Sequence, residues 1–255
     1  MLPPVVIVDE GEGPIIATAI HDGHYLRAEC ADAAALDEAT RLREEDPYTA
    51  RIAALVPTRL IATRSRFEVD LNRPRDKAVY ACAADAWGLE CWRETPSSAM
   101  LARSLEVYDE FYATLDRVLK DRARRYGKFV VLDVHSYNHR RDPDRRPAPE
   151  AENPMVNLGT ESVDRKRWGG LIDRFREDLA RAGSLDVREN VKFKGGAMSR
   201  WINARFPETG CALALEFKKT FMDEWTGAPD EDRLQVLSRA LTDTLRGLAE
   251  SLRTC

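Results

Sequence analysis

The chain is 255 residues long, with 39 Lys and Arg against 43 Asp and Glu for a formal net charge of −4; 44% of it is hydrophobic and 32% charged. The low hydrophobicity and high net charge of a disordered chain are absent, and no stretch approaches the roughly 18 consecutive apolar residues of a membrane span. A pI near 5.7 argues against general binding of a phosphate backbone, so neither nucleic acid nor membrane is an expected partner.

The opening MLPPVVIVDEGEG has no basic segment and meets an acid at Asp9, so it does not read as a secretory leader. Residues 5–8 and 15–20 read as a hairpin or two early strands, separated by turn-rich residues 9–14. An Ala- and Glu-rich helix is expected over 31–45, and extended chain over 60–63 and 67–71. Residues 99–120 carry Leu101, Leu105, Tyr108, Phe111, Leu115 and Val118 at i, i+3/i+4 spacing, which predicts a long amphipathic helix. FVVLDV at 129–134 is the strongest strand signal, and its unbroken apolarity predicts burial on both faces. Residues 140–153 (RRDPDRRPAPEAEN) read as a solvated loop beside a site, with Arg140, Arg141, Arg145 and Arg146 offset by interleaved acids. Trp168, Leu171, Ile172, Phe175 and Leu179 mark another helix. CALALEF at 211–217 is a second buried-type strand, and the leucines from 234 to 252 give a C-terminal helix. Strands alternating with helices predict an α/β fold with a largely parallel sheet, and no repeat or composition break divides residues 1–255, so one domain is expected.

Five cysteines (Cys30, Cys82, Cys91, Cys211 and Cys255), an odd number with no C-x-x-C spacing, fit unpaired thiols in a reducing cytoplasm. The four histidines fall into two tight groups, each directly after a predicted strand: His21 and His24 in HDGH, His135 and His139 in HSYNH. In open α/β sheets ligands gather beyond the carboxyl ends of strands, so the two groups can converge. Three imidazoles, or two and a carboxylate, are the usual protein ligands of a catalytic zinc; the spacing alone fits core or surface histidines equally. Glu216 is a carboxylate inside an apolar run, costly to bury unless paired or functional, and suits either a general base or a structural ion pair. Arg66 and Arg73, around an Asn-Arg-Pro turn, suit a carboxylate-bearing substrate or a developing oxyanion, and surface ion pairing as well. Ser136 lacks the G-x-S-x-G setting of a nucleophile, Gly195–Gly196 lack a Walker pattern, and Asp223–Glu224 beside Trp225 read as a structured loop.

Taken together, IHDGH, SRFEVDLNRP, LDVHS, NLGT, VKFKGGAMSR and LALEFKKTFMDE resemble, in order and over residues from about 15 to 225, the N-formylglutamate amidohydrolase family. That family is similar in turn to zinc carboxypeptidases, aspartoacylase and succinylglutamate desuccinylase. The resemblance implies a three-layer α/β/α fold with a mixed, largely parallel sheet, and one catalytic Zn2+. It implies His21 and His135 as metal ligands, Glu216 as base and proton shuttle, and Arg66 on the scissile carbonyl. Asn72 and Arg73 would hold a substrate carboxylate, with Lys194 and Arg200 near a second anionic group. The chain departs from the pattern at the second ligand. His24 stands where related carboxypeptidases and desuccinylases have the glutamate of H-x-x-E, and is the expected ligand. The acidic segment 43–48 (REEDPY) makes Glu45 or Asp46 its rival. His139 matches no role. The implied substrate is a small N-acyl amino acid, by default N-formyl-L-glutamate; another acyl amino acid, a small peptide, or an inactive binding protein are the alternatives.

Overall fold

The computed structural model describes residues 3–140 and 146–254, so Arg141, Arg145 and Cys255 lie outside the described residues. Its strands form one seven-stranded sheet. They are β1 (Val6–Asp9), β2 (Ile15–Ala19), β3 (Thr58–Ala62), β4 (Phe129–Tyr137), β5 (Val156–Gly159), β6 (Val187–Glu189) and β7 (Gly210–Lys218). The spatial order is β1-β3-β2-β4-β7-β5-β6. The run β3-β2-β4-β7 is parallel, β1 and β5 join it antiparallel, and β6 continues parallel to β5. The α-helices among the described residues are α1 (Ala28–Ala33), α2 (Glu38–Glu44), α3 (Thr49–Ile52), α4 (Ser98–Tyr126), α5 (Arg165–Gly183), α6 (Ala197–Arg205), α7 (Glu231–Asp243) and α8 (Leu245–Leu252).

β4 lies at the centre, and all nine of its residues are buried because helices cover both faces. Val130, Leu132 and Val134 pack toward α5 and α7, against Trp168, Phe175 and Leu237. Phe129 and Val131 pack toward α4 and α6, against Phe111, Leu115 and Ile202. The three layers and the mixed, mostly parallel sheet are those expected. The long helix α4 begins where the Ser97 side chain accepts from Met100 N and ends at Gly127, whose φ of 76° suits glycine. No helix among the described residues is long and apolar enough to cross a membrane.

Of the two readings of residues 5–20, two separate strands hold rather than a hairpin, because β1 pairs with β3 (Val6 with Ala62). Three local expectations change. Residues 67–71 are not a strand: Glu68 N and Val69 N both donate to Ser65 O, and all five residues are buried. Their alternation reflects two separate destinations, Phe67 beside Tyr80 and Cys91, and Val69 and Leu71 beneath α4. The helix expected over 31–45 divides, since Ala35 N bonds to Cys91 O and Asp37 then caps a new helix at Thr40 N. The C-terminal helix divides at Thr244, whose hydroxyl bonds back to Leu241 O.

Candidate active site

β2, β4 and β7 are parallel, with β4 between β2 and β7, so their carboxyl ends open on one edge of the sheet. His21 follows β2. His135 in β4 and Glu216 in β7 are register partners, so their side chains leave the same face. Asp46 arrives just after α2, fastened by its N–H to His21 O at 2.9 Å. The result is a buried group of His21, Asp46 and His135, in which one ligand atom from each lies within 4.8 Å of the others.

Both imidazoles present Nδ1 to the same oxygen: Asp46 Oδ2 is 3.0 Å from His135 Nδ1 and 3.4 Å from His21 Nδ1. Both use Nε2 on a buried carboxylate behind the ring, Asp70 for His21 at 2.8 Å and Asp133 for His135 at 3.1 Å. Asp133 is itself held by the hydroxyls of Thr18 and Ser199. His21 Nδ1 is buried and makes no hydrogen bond among the described residues. Two imidazoles oriented by carboxylates, one orphaned ring nitrogen and a convergent aspartate are a donor set that fits a divalent metal ion.

The charges support one another. Burial raises the Asp46 carboxyl, but the hydrogen bond from His135 and the two imidazoles close beside it outweigh burial and hold the group well below the usual carboxylate range. For Asp70 burial is likewise outweighed, by Arg66 and His21. Burial lowers His135, yet Asp133 and Asp46 carry it well above its ordinary value. For Glu216 burial outweighs the opposing charges of His135 and Arg66, Asp46 and Asp133 add to it, and the carboxyl is pushed up to about 8.

These groups line a cavity of about 250 Å³, together with Arg66, Asn72, Arg73, Lys194 and Lys219. Arg66 donates to Asp70 (2.8 Å) and to the Tyr80 hydroxyl (3.1 Å), and stacks over Trp87. Arg73 is anchored on Asp85 O and is partly exposed. Asn72 is more occupied than expected: its Oδ1 accepts from Met198 N, and its Nδ2 is 3.4 Å from His135 Nε2. Lys194 pairs with Glu161 at the rim. Arg200 is exposed, bonds to Gly195 O and does not line the cavity.

His24 is not part of the histidine–aspartate group. Residues i and i+3 share a side only in a helix, and this segment is extended: Tyr25 bridges to Arg64, and Gly23 is pressed on the Thr63 and Arg64 backbone. The His24 imidazole instead meets Glu45, which also accepts from the Ser65 hydroxyl. Glu45 is thus turned to His24 while Asp46 faces His21. His139 pairs with Glu224 at 2.8 Å, which makes residues 223–224 the structured loop expected. Sequence reasoning passed over Asp70 and Asp133, although both are carboxylates inside apolar runs, the same signal that singled out Glu216. Lys219 was also missed; it is buried at the cavity and shifted down to about 8 by that burial.

Residues 13–222 match the sequence model of a family described as N-formylglutamate amidohydrolase. The chain belongs to this family. As an N-formylglutamate amidohydrolase family member it is a hydrolase acting on amide bonds. Among solved structures, the N-formylglutamate amidohydrolase from Ralstonia eutropha JMP134 superposes with a TM-score of 0.78 at 20% identity, covering 98% of each chain. The gene product Atu2144 from Agrobacterium tumefaciens gives 0.68 at 17% identity, over 99% of this chain and 97% of that one. Likeness at these identities shows a shared fold. A metallo-carboxypeptidase from Burkholderia cenocepacia gives 0.41 at 17% identity, over 96% of this chain and 61% of that one. No curated protein sequence matches the chain.

Proposed function

We propose that the chain is a zinc-dependent hydrolase of N-acyl amino acids, a single catalytic domain working in the cytoplasm, with N-formyl-L-glutamate as default substrate. The observation that carries this reading is the buried His21–Asp46–His135 group opening on the same cavity as Glu216 and Arg66. Two imidazoles and a carboxylate suit zinc and leave a position for chemistry. A divalent ion there supplies positive charge that makes a water more acidic and polarises the scissile carbonyl.

The protein's own groups do the rest. Glu216, adjacent to His135 across the sheet, accepts the proton of the attacking water and delivers it to the leaving nitrogen; a carboxyl near 8 is well matched to both tasks. Arg66 is held by Asp70 and Tyr80 at the cavity wall, a fixed positive charge for the developing oxyanion. Arg73, the more accessible arginine, takes the substrate carboxylate and sets which carbonyl meets the water, with Asn72 orienting the turn between them. Lys194 at the rim is available to a second carboxylate.

The deciding experiment is hydrolysis of N-formyl-L-glutamate, with metal content measured by mass spectrometry in parallel. The expected outcome is about one zinc per chain, activity lost to a chelator and restored by zinc, and Glu216→Gln lower in kcat by about 10²–10⁴ with its metal retained. A metal-free protein inert toward every N-acyl amino acid, even after zinc incubation, would overturn the proposal.

A further inference from the structure

One part of the cavity wall is built from groups that the scheme above leaves idle: Glu44, Ser136, Asn138 and Lys219. Asn138 Nδ2 (2.9 Å) and Lys219 Nζ (2.6 Å) both donate to Arg43 O, and Lys219 Nζ also donates to Glu45 O (2.6 Å). A carbonyl only accepts, so the Asn138 amide is locked with Oδ1 turned away from Arg43. That Oδ1 and the Ser136 Oγ have no partner among the described residues, although the two residues are only 3% and 6% exposed. Two of the three ammonium N–H groups of Lys219 are used, which leaves one.

The position of this wall follows from strand parity. His135 leaves β4 on the side of Val131, toward α4, whereas Ser136 leaves on the side of Val134, toward α5 and α7. The Arg66–Asp70 network rises from the turn packed beneath α4. Arg73 and this wall line one cavity, which can hold a substrate carboxylate on the former and an acyl chain against Ser136 and Asn138. A formyl group ends in C–H and leaves both oxygens without a donor, a state that buried polar groups rarely keep.

We propose that Ser136 and Asn138 form an acyl-chain subsite for acyl groups bearing a hydrogen-bond donor, an N–H or O–H, as in aminoacyl or hydroxyacyl amino acids, with the remaining Lys219 N–H donating to the oxygen of a hydroxyacyl group. The inference rests on the amidohydrolase reading and narrows its substrate class.

The test compares four glutamate derivatives on the zinc-loaded enzyme: N-formyl, N-propionyl, N-glycyl and N-glycolyl. Propionyl has three carbons but the same number of non-hydrogen atoms as glycyl and glycolyl, and it ends in a methyl where they carry an amine or hydroxyl. Glycyl or glycolyl should exceed propionyl in kcat/KM by about tenfold or more, and Ser136→Ala should shrink that ratio severalfold. Calorimetric titration of the same compounds into Glu216→Gln should rank them in the same order, separating recognition from chemical reactivity. A glycyl preference points to a cation drawn by Glu44, a glycolyl preference to a neutral donor beside Lys219, and either supports the subsite. Equal constants for propionyl and its donor-bearing counterparts, unmoved by Ser136→Ala, would show a wall satisfied by solvent and overturn the inference. In that case continued turnover of the formyl compound leaves the hydrolase reading standing; four inert compounds take both down.

Discussion

The imidazole of His24 and the carboxylate of Glu45 form a half-buried pair that props the segment presenting Asp46, and this division of labour can be tested residue by residue. Asp46→Asn removes the anionic donor and should strip zinc from the chain. His24→Gln should keep about one zinc per chain, measured by mass spectrometry, while losing about 1–3 kcal/mol of stability because buried Glu45 loses its imidazole partner and keeps only Arg41 at 3.7 Å and the Ser65 hydroxyl. Loss of zinc in His24→Gln and retention in Asp46→Asn would reverse the assignment. Farther from the centre, Glu68 is buried and accepts from the N–H and guanidinium of Arg27. Burial nonetheless raises its carboxyl above the ordinary range. The folded state therefore binds the proton more tightly than the unfolded chain, whose value is about 4.3. Its contribution to stability is fully present below that value and is lost as pH rises toward the folded pKa. Glu68→Gln is exempt from this loss, so its stability relative to wild type should rise from pH 4 upward and then level off in urea melts. A relative stability that falls over the same window would contradict the sign.

At the scale of elements, the site depends on how α6 docks on the turn after Asp70. Asn72 O accepts from Ala197 N and Asn72 Oδ1 from Met198 N, so the first turn of α6 is capped from another segment, next to His135. Gly196 makes that approach possible: a Cβ there would stand 2.0 Å from Asn72 Oδ1. Gly196→Ala should accordingly cost about 1–3 kcal/mol and depress kcat/KM by displacing Asn72, an effect read by thermal melting and by kinetics on the same sample. A variant with wild-type stability and activity would show that α6 tolerates the displacement. The same docking explains what the sequence made legible. β4, β7, α4 and α5 are long; unbroken apolar runs marked the two strands and an apolar helical period the two helices, although β4 runs on to Tyr137 and α4 to Tyr126, beyond the stretches expected. β5 and β6 span four and three residues, and α6 lies in a glycine-flanked stretch; no period develops over such lengths. His21, His135 and Glu216 were legible because they sit in or beside strong strands. Asp46 was legible only as a rival to His24, beside Glu45, because it reaches the site through a turn whose direction is set by Lys219 and by His21 O rather than by any local pattern.

For the molecule as a whole, the three proposed ligands come from residues 21, 46 and 135, and only the assembled sheet edge brings them together. An unfolded chain offers no equivalent, so the proposed zinc would bind the native state and stabilise it by mass action. At free zinc about a hundredfold above its dissociation constant the gain is about 2.7 kcal/mol. For a chain of this size that corresponds to roughly 5–11 °C in Tm. Wild type should therefore melt at a temperature that climbs with added zinc and drops with a chelator. Asp46→Ala should melt at a temperature indifferent to both, since it keeps the sheet but lacks the ligand. The comparison separates a native-state site from adventitious binding, because ions held by surface carboxylates would shift both proteins alike. A wild-type Tm that does not respond to zinc would remove the metal from this fold, and with it the role proposed for His21 and His135.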